Sequence, residues 1–479
     1  MTPTIFGFLI VFAAICMMPA SITMMLGLVL VASLLGGASA LSLPALGGSS
    51  IPPASFALLF LVIRILLSPA GRFPILAKAL AQNPFLACYC IYGALTAFLL
   101  PRLFFHAVNV PQVRMTGSWS LYATAPVQFS SQNITTAVYL LGTLLAFFSA
   151  MIAGGLEHRK KLLLQTIVVV SWTHIIFGAL DIILSKAGLR DFLDFFRNGN
   201  YSQLVQEVSS VQRVAGIFPE PSAYAAYAFA FWVLNTELWM RAERPRMTGT
   251  TSLALLVMLL LTTSSTAYVS VAGYVLILLL RMAFTPLRLP VTKNMGLVIV
   301  ASLAGTVLLA LEVFMPAMNK LMLDILQEMT VAKLHSMSGI QRSFWVHKAW
   351  EAFWASSWIG VGAGSLRSSG LVSAIAGSMG VIGIITFVGA LWTILKPMKA
   401  QTHRVQGSPE QRLRASFAWA AVLALIPAAV AQATADPGLV FGIFAGLAAS
   451  DFLAKPSTAS SYVTLQAMTD RSGNLVNDG

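Results

Sequence analysis

A chain of 479 residues would ordinarily suggest roughly two to four soluble domains. Here 57% of the residues are hydrophobic and only 10% charged, against roughly 25% charged in a typical soluble protein, and the mean hydropathy is +0.80. That excludes a soluble enzyme, a disordered chain and a secreted disulfide scaffold, and leaves a polytopic, all-α integral membrane protein. The net charge of +13, from 30 Lys and Arg against 17 Asp and Glu, has two readings. One is inner loops rich in Lys and Arg; the other is a site that handles anionic lipid-linked substrates. Nucleic acid is not an expected partner; membrane lipid is.

In chain order, apolar runs long enough to approach a membrane span lie at 4–18, 20–40, 52–70, 84–104, 134–156, 161–186, 221–240, 252–281, 295–315, 370–395, 415–435 and 437–453. The first lacks a positive n-region, so it reads as a retained helix and not as a signal peptide. Orientation follows from short basic loops: His158-Arg159-Lys160-Lys161 most clearly, then Arg241, Arg244 and Arg246, then Lys396 to Arg414. Arg72 with Lys78, and Arg288 with Lys293, are weaker markers. Counting back from His158 gives five crossings, which puts the N-terminus outside unless one early run does not cross. The run 252–281 lies between two basic loops and must therefore cross an even number of times. Its 30 residues allow two short helices with the turn at Thr262-Thr263-Ser264-Ser265-Thr266; the alternative is one long helix.

This arrangement predicts a transmembrane domain over 1–454 and a polar tail over 455–479. The long outer loops are 105–133, 187–220 and 316–369. Within them, 189–197 and 319–334 carry apolar residues on one helical face and read as amphipathic helices on the outer membrane surface. Cys16, Cys88 and Cys90 all fall in apolar runs, and the spacing of the last two fits neither a metal site nor a disulfide. No internal repeat is visible, which weakens a transporter built from duplicated halves.

Three segments could carry chemistry. In 212–224, Arg213 and Glu220 flank a bend set by Gly216, Pro219 and Pro221. Glu220 falls at a helix start, where a carboxylate is favoured as a cap, or it could serve as a general base. In 335–350, His335, Arg342, His347 and Lys348 lie close together. An arginine fork suits phosphate, a histidine could give or take a proton, and the same residue types also serve as interfacial anchors. On a helix His347 lies well round from Arg342. In 358–367, the run Gly360-Val361-Gly362-Ala363-Gly364 has no strand before it, so a dinucleotide fold fails its context test. It reads as a close-packed turn with Arg367 beside it. Inside the spans, His174 and Asp181 lie on roughly one face and could pair or face the interior, with Asp181 a candidate substrate contact.

The order of the phrases RVAGIFPEPSAYAAYA (213–228), LLLTTSSTAYVSV (259–271), RSFWVHKAWEAFWASSWIGVGAGSLR (342–367) and GSMGVIGIITF (377–387) resembles the bacterial O-antigen polymerase and ligase superfamily over residues 130–395. The sequence departs from the family where Ser264-Ser265-Thr266 lacks an Arg, and where a His-Asn phrase falls at Ser369-Gly370. Its Glu-Pro-Ser phrase is more like the polymerases of exopolysaccharide and O-antigen than the ligases. The resemblance implies a GT-C-like bundle of about 12 transmembrane helices in the bacterial inner membrane. It also implies a large periplasmic loop bearing the amphipathic helices. The implied activity is a metal-independent glycosyltransferase with no cofactor, joining undecaprenyl-pyrophosphate-linked repeat units at the periplasmic face.

On this reading Arg213 and Arg342 bind pyrophosphate, Glu220 is the base or positions the acceptor, and His335 assists. Arg367, His347, Ser264, Ser265 and Asp181 contact substrate. A chain-length regulator is a conceivable partner. The rival expectations are an O-antigen ligase, using the same donor with another acceptor, and a transporter of polysaccharide precursors.

Overall fold

The computed structural model describes residues 2–43, 49–67, 77, 80–81, 83–113, 122–156, 159–189, 191–199, 207–208, 211–284, 336–399 and 408–450. The expected span at 295–315, the amphipathic stretch at 319–334, His335 and the tail lie outside the described residues.

The early helices are α1 (Ile5–Met17), α2 (Ile22–Ala32), α3 (Pro53–Leu66), α4 (Pro84–Leu103), α5 (Ser131–Leu156) and α6 (Lys160–Lys186). A single turn, α7 (Asp191–Asp194), precedes α8 (Pro221–Met240), α9 (Pro245–Leu261) and α10 (Ser265–Phe284). The later helices are α11 (Met337–Ala355), α12 (Leu371–Lys399), α13 (Pro409–Leu423), α14 (Leu425–Ala431) and α15 (Leu439–Ala449). Short antiparallel strands tie the loops: β1 (Thr2–Pro3), β2 (Leu41–Leu43) and β3 (Ser49–Ile51) form one sheet, with Leu41 opposite Ile51. β4 (Asn109–Val110) pairs with β5 (Ala125–Pro126), and β6 (Glu207–Val208) with β7 (Val211–Gln212).

Helix starts follow local chemistry. The side chains of Thr4, Ser21, Ser336 and Ser408 accept from the N–H three residues on, and proline opens α3, α4, α8, α9 and α13, where its missing N–H costs nothing. The result is an all-α membrane protein. Among the described residues five helical segments are long and apolar enough to cross a membrane: Pro84–Leu103, Ser131–Gly155, Lys160–Lys186, Leu371–Leu395 and Pro409–Ala431. Several other expected spans are shorter apolar helices of 10–17 residues. The run 20–40 leaves its helix after Ala32, and 437–453 is helical only over Leu439–Ala449. The run 252–281 divides into α9 and α10, with the turn at 262–264.

Helix α8 is the axis of the bundle. It is apolar on every side and buried along most of its length, which is the pattern of a helix surrounded by others. Helices α9, α10, α13 and α6 pack round it. On the other side of the core α15 lies against α5, and small residues set that distance. A Cβ on Gly442 would meet the Thr143 carbonyl at 2.6 Å, and one on Gly446 would meet the Phe147 carbonyl closer still, so the backbones touch as in small-residue membrane interfaces. Helix α12 is broken at Gly380 (φ 63, ψ −155), a conformation open to glycine. The freed backbone is paired by the preceding loop: Val361 N–H donates to Gly377 O and Gly362 N–H to Ser378 O, both at 2.9 Å, while Val381 N–H donates to Trp358 O at 2.9 Å. The glycine-rich run at 360–364 thus acts as a strap across a broken helix.

The expected amphipathic helix at 189–197 is instead the one turn α7. Leu189, Phe192 and Phe195 are exposed and Leu193 is buried, but Arg197 turns inward and is 3% exposed. That buried charge pulls the segment out of helical register.

At the Arg241 end of the bundle, two helices meet on one carboxylate and a third packs on its partner. Glu237 (α8) is fully buried and pairs with Arg281 (α10) at 2.6 Å and with Arg241. The Tyr274 hydroxyl donates to it at 3.0 Å, and the Arg281 guanidinium lies 3.9 Å from the centre of the Trp419 ring on α13. Nearby, Arg412 bonds Glu243 at 2.8 Å. Removing one partner of a buried ion pair strands the other charge, at about 3–5 kcal/mol, whereas a half-exposed pair contributes about 0–1 kcal/mol. Glu237→Gln is therefore expected to lower the unfolding midpoint of the detergent-solubilised protein far more than Lys160→Gln, which breaks the part-exposed Lys160–Glu410 contact. Equal midpoints would show that the Glu237 node does not hold the helices together.

Candidate functional site

At the opposite end of α8 the loop 213–220 enters the helix. Its shape comes from a grip on one peptide unit. The Asp181 carboxylate, from α6, accepts the N–H groups of Ala215 at 2.8 Å and Gly216 at 2.9 Å. Arg197 donates from both Nε (3.0 Å) and Nη2 to the Gly216 carbonyl, and its guanidinium also pairs with Asp181 at 3.5 Å and Asp194 at 3.3 Å. Gly37 N–H donates to the Ile217 carbonyl at 3.2 Å. Below the loop His174, which is buried, stacks on Tyr224 at 4.0 Å and meets Phe218 edge-on at 5.2 Å. Both His174 and Asp181 therefore face the interior, each toward a different part of the loop. Through its Oδ2 Asp181 holds the backbone and Arg197, and so shapes the loop.

The loop presents Arg213 at one end and Glu220 at the other. Arg213 Nε donates to the Thr263 carbonyl at 3.2 Å, in the α9–α10 turn. Glu220 is the N-cap residue of α8 with extended backbone, yet its side chain makes no capping bond. It accepts the Ser222 hydroxyl instead, so the simple capping role is not the one it fills.

Two more arginines reach this place. Arg342 lies on α11. Arg367 lies in the loop before α12, held by its own N–H on the Pro111 carbonyl at 2.7 Å and by Ser368 N–H on Ala433 O at 3.0 Å. Its guanidinium lies 4.1 Å from the centre of the Trp345 ring, a cation–π stack with a side chain of the helix that carries Arg342. Its Nε is buried without a hydrogen-bond partner. Burial pushes the pKa of Arg213 below the usual arginine range; Glu220 opposes this, and Arg342 adds to it. The same three causes act in the same order on Arg367. Glu220 and Arg342 thus lie within electrostatic reach of both other arginines. Among the described residues one carboxylate and three guanidinium groups act on one another here, and a concentration of guanidinium groups draws anions.

Of the residues expected from sequence, the structure brings Arg213, Glu220, Arg342 and Arg367 together. Ser264 and Ser265 sit in the turn that Arg213 touches. His347 does not join them: it is 73% exposed and faces Glu351 at 3.0 Å on its own helix, as its angular distance from Arg342 requires. Sequence reading missed Arg197, Trp345 and the Thr263 carbonyl. Arg197 alone left a signal, a charge interrupting an otherwise amphipathic pattern. No family model matches the chain, and no curated protein matches its sequence.

Asp181→Asn removes the charge that holds Arg197 and weakens the acceptor for two N–H groups. Amide exchange in the 213–220 peptide is expected to quicken by at least about tenfold, with α8 from Phe229 to Leu238 unchanged. Unaltered protection of Ala215 and Gly216 would rule out the grip as the source of the loop's rigidity.

Proposed function

We propose that this chain is a polysaccharide polymerase of a bacterial inner membrane, with about 12 transmembrane helices in a GT-C-like bundle and its site facing the periplasm. It transfers a growing glycan from undecaprenyl pyrophosphate onto another lipid-linked repeat unit. The observation that supports this is the gathering of Arg213, Arg342 and Arg367 about Glu220.

The chemistry follows from the charges. The acceptor hydroxyl attacks the anomeric carbon of the donor, and its proton passes to Glu220. Ser222 occupies one oxygen of that carboxylate, which leaves the other for the proton. The bond from the anomeric carbon to the phosphate oxygen breaks, and its electron pair leaves on the lipid pyrophosphate. Charge grows on the phosphate oxygens as that bond stretches, and fixed guanidinium groups stabilise it most in the transition state. The stack on Trp345 and the contact with Thr263 hold two of those groups in place beforehand.

Arg213→Ala or Arg342→Ala is expected to remove long-chain polysaccharide, a loss of at least about a hundredfold, with the amount of protein in the membrane unchanged. Gel analysis of chain length in the producing cell measures it. Wild-type chain length in both variants would overturn the proposal. Deleting the gene separates polymerase from ligase: a polymerase deletion leaves single repeat units, a ligase deletion leaves polymer on the lipid carrier.

A further inference from the structure

Helix α10 begins beside Arg213, and its first turn is unfinished. Tyr268 N–H donates to the Ser264 carbonyl at 3.1 Å, which makes Ser264 the N-cap residue. A serine there normally turns its hydroxyl onto the N–H two or three residues on. Here the Ser264 hydroxyl has no partner, and neither has that of Thr266. Both residues are buried, at 0% and 2% exposure. Among the described residues nothing accepts from the N–H groups of Ser265, Thr266 or Ala267. A buried helix start without a cap carries several unmet donors, and this one carries two hydroxyls without a protein partner as well.

The unmet groups are of one kind. Backbone N–H groups donate, hydroxyls can donate, and the helix start adds a partial positive charge. Arg213 adds a full one at the adjoining carbonyl of Thr263. A neutral polar ligand would answer the hydroxyls but not the charge. A phosphate oxygen pair answers both, as at other helix N-termini that hold phosphate.

We infer that the first turn of α10, with the hydroxyls of Ser264 and Thr266, the N–H groups of 265–267 and Arg213, is a seat for one phosphate group. It rests on the polymerase reading and deepens it: the two phosphates of the lipid pyrophosphate are held separately. One sits on α10 with Arg213, the other against Arg342 and the Arg367–Trp345 stack. Ser265, the part-exposed residue of this turn, marks the side from which the phosphate arrives.

The test uses the purified full-length protein with inorganic pyrophosphate and a short-chain polyprenyl pyrophosphate as probes. Binding is read as affinity and as the rise in unfolding midpoint on adding probe. The double variant Ser264→Ala with Thr266→Val is expected to bind both probes at least about tenfold more weakly, with a proportionately smaller midpoint rise. Thr266→Val alone keeps side-chain shape and removes an unpaired buried hydroxyl, so its unliganded midpoint should not fall, and it decides the matter if the double variant does not fold. Ser270→Ala, which removes an equally buried and unpartnered hydroxyl one turn deeper, should bind like wild type. Wild-type affinity in the Ser264 and Thr266 variants, with binding lost in Arg342→Gln, would overturn the seat and leave the polymerase reading standing. Wild-type affinity in Arg213→Gln and Arg342→Gln as well would overturn both.

Discussion

The site depends on a buried ion pair that grips a backbone peptide. Asp181 and Arg197 are 2% and 3% exposed, and such a pair survives burial only when hydrogen bonds answer its remaining donors and acceptors. The Ala215 and Gly216 N–H groups and the Gly216 carbonyl supply them. Loop and ion pair therefore need each other. The loop gains a fixed path, and the ion pair gains the partners that make its burial tolerable. Arg213, two residues before Ala215, and Glu220, four residues after Gly216, take their positions from this short bend.

The bundle gathers arginines about a glutamate at both ends. Near Arg241, Glu237 is answered by two arginines and a tyrosine hydroxyl. Near Arg213, one carboxylate faces three arginines. The first arrangement staples helices; the second gathers charge from three separate segments of the chain. The same residue types give structure in one place and a site in the other because the ratio of cations to anions differs.

Much of the fold was legible in the sequence. Apolar runs located most helices, and of the two readings of 252–281, a pair of short helices or one long one, the structure has the pair, α9 and α10. Helical angle alone separated His347 from Arg342. What stayed hidden lies in long-range pairing and in broken helices. Glu237 and Arg281 are 44 residues apart, and nothing in periodicity links them. Gly380 lies in an apolar run with other glycines, and only the strap from 358–362 shows that its helix breaks there. Asp181 and Arg197 pair across 16 residues, and the sequence pattern, which offers His174 as a pair for Asp181 and places Arg197 on a surface helix, does not show it. The close approach of Arg367 and Trp345 needed the turn of the loop before α12, which no local pattern gives.

A cluster with surplus positive charge in a partly buried place is unfavourable by itself, since desolvation and mutual repulsion both act against it. Those two effects are what lower the pKa of Arg213 and Arg367. The fold meets that cost through contacts that lie outside the cluster: the Asp181–Arg197 grip behind Arg213, the Trp345 ring under Arg367, and the Pro111 carbonyl and the broken helix behind its loop. A flexible cluster would relieve the repulsion by spreading apart. A strapped one keeps it, and under the proposed function a pyrophosphate would relieve it, the relief adding to the attraction. Rigidity in the loops and surplus charge at the site are thus one design, because either alone would leave the arginines dispersed or idle.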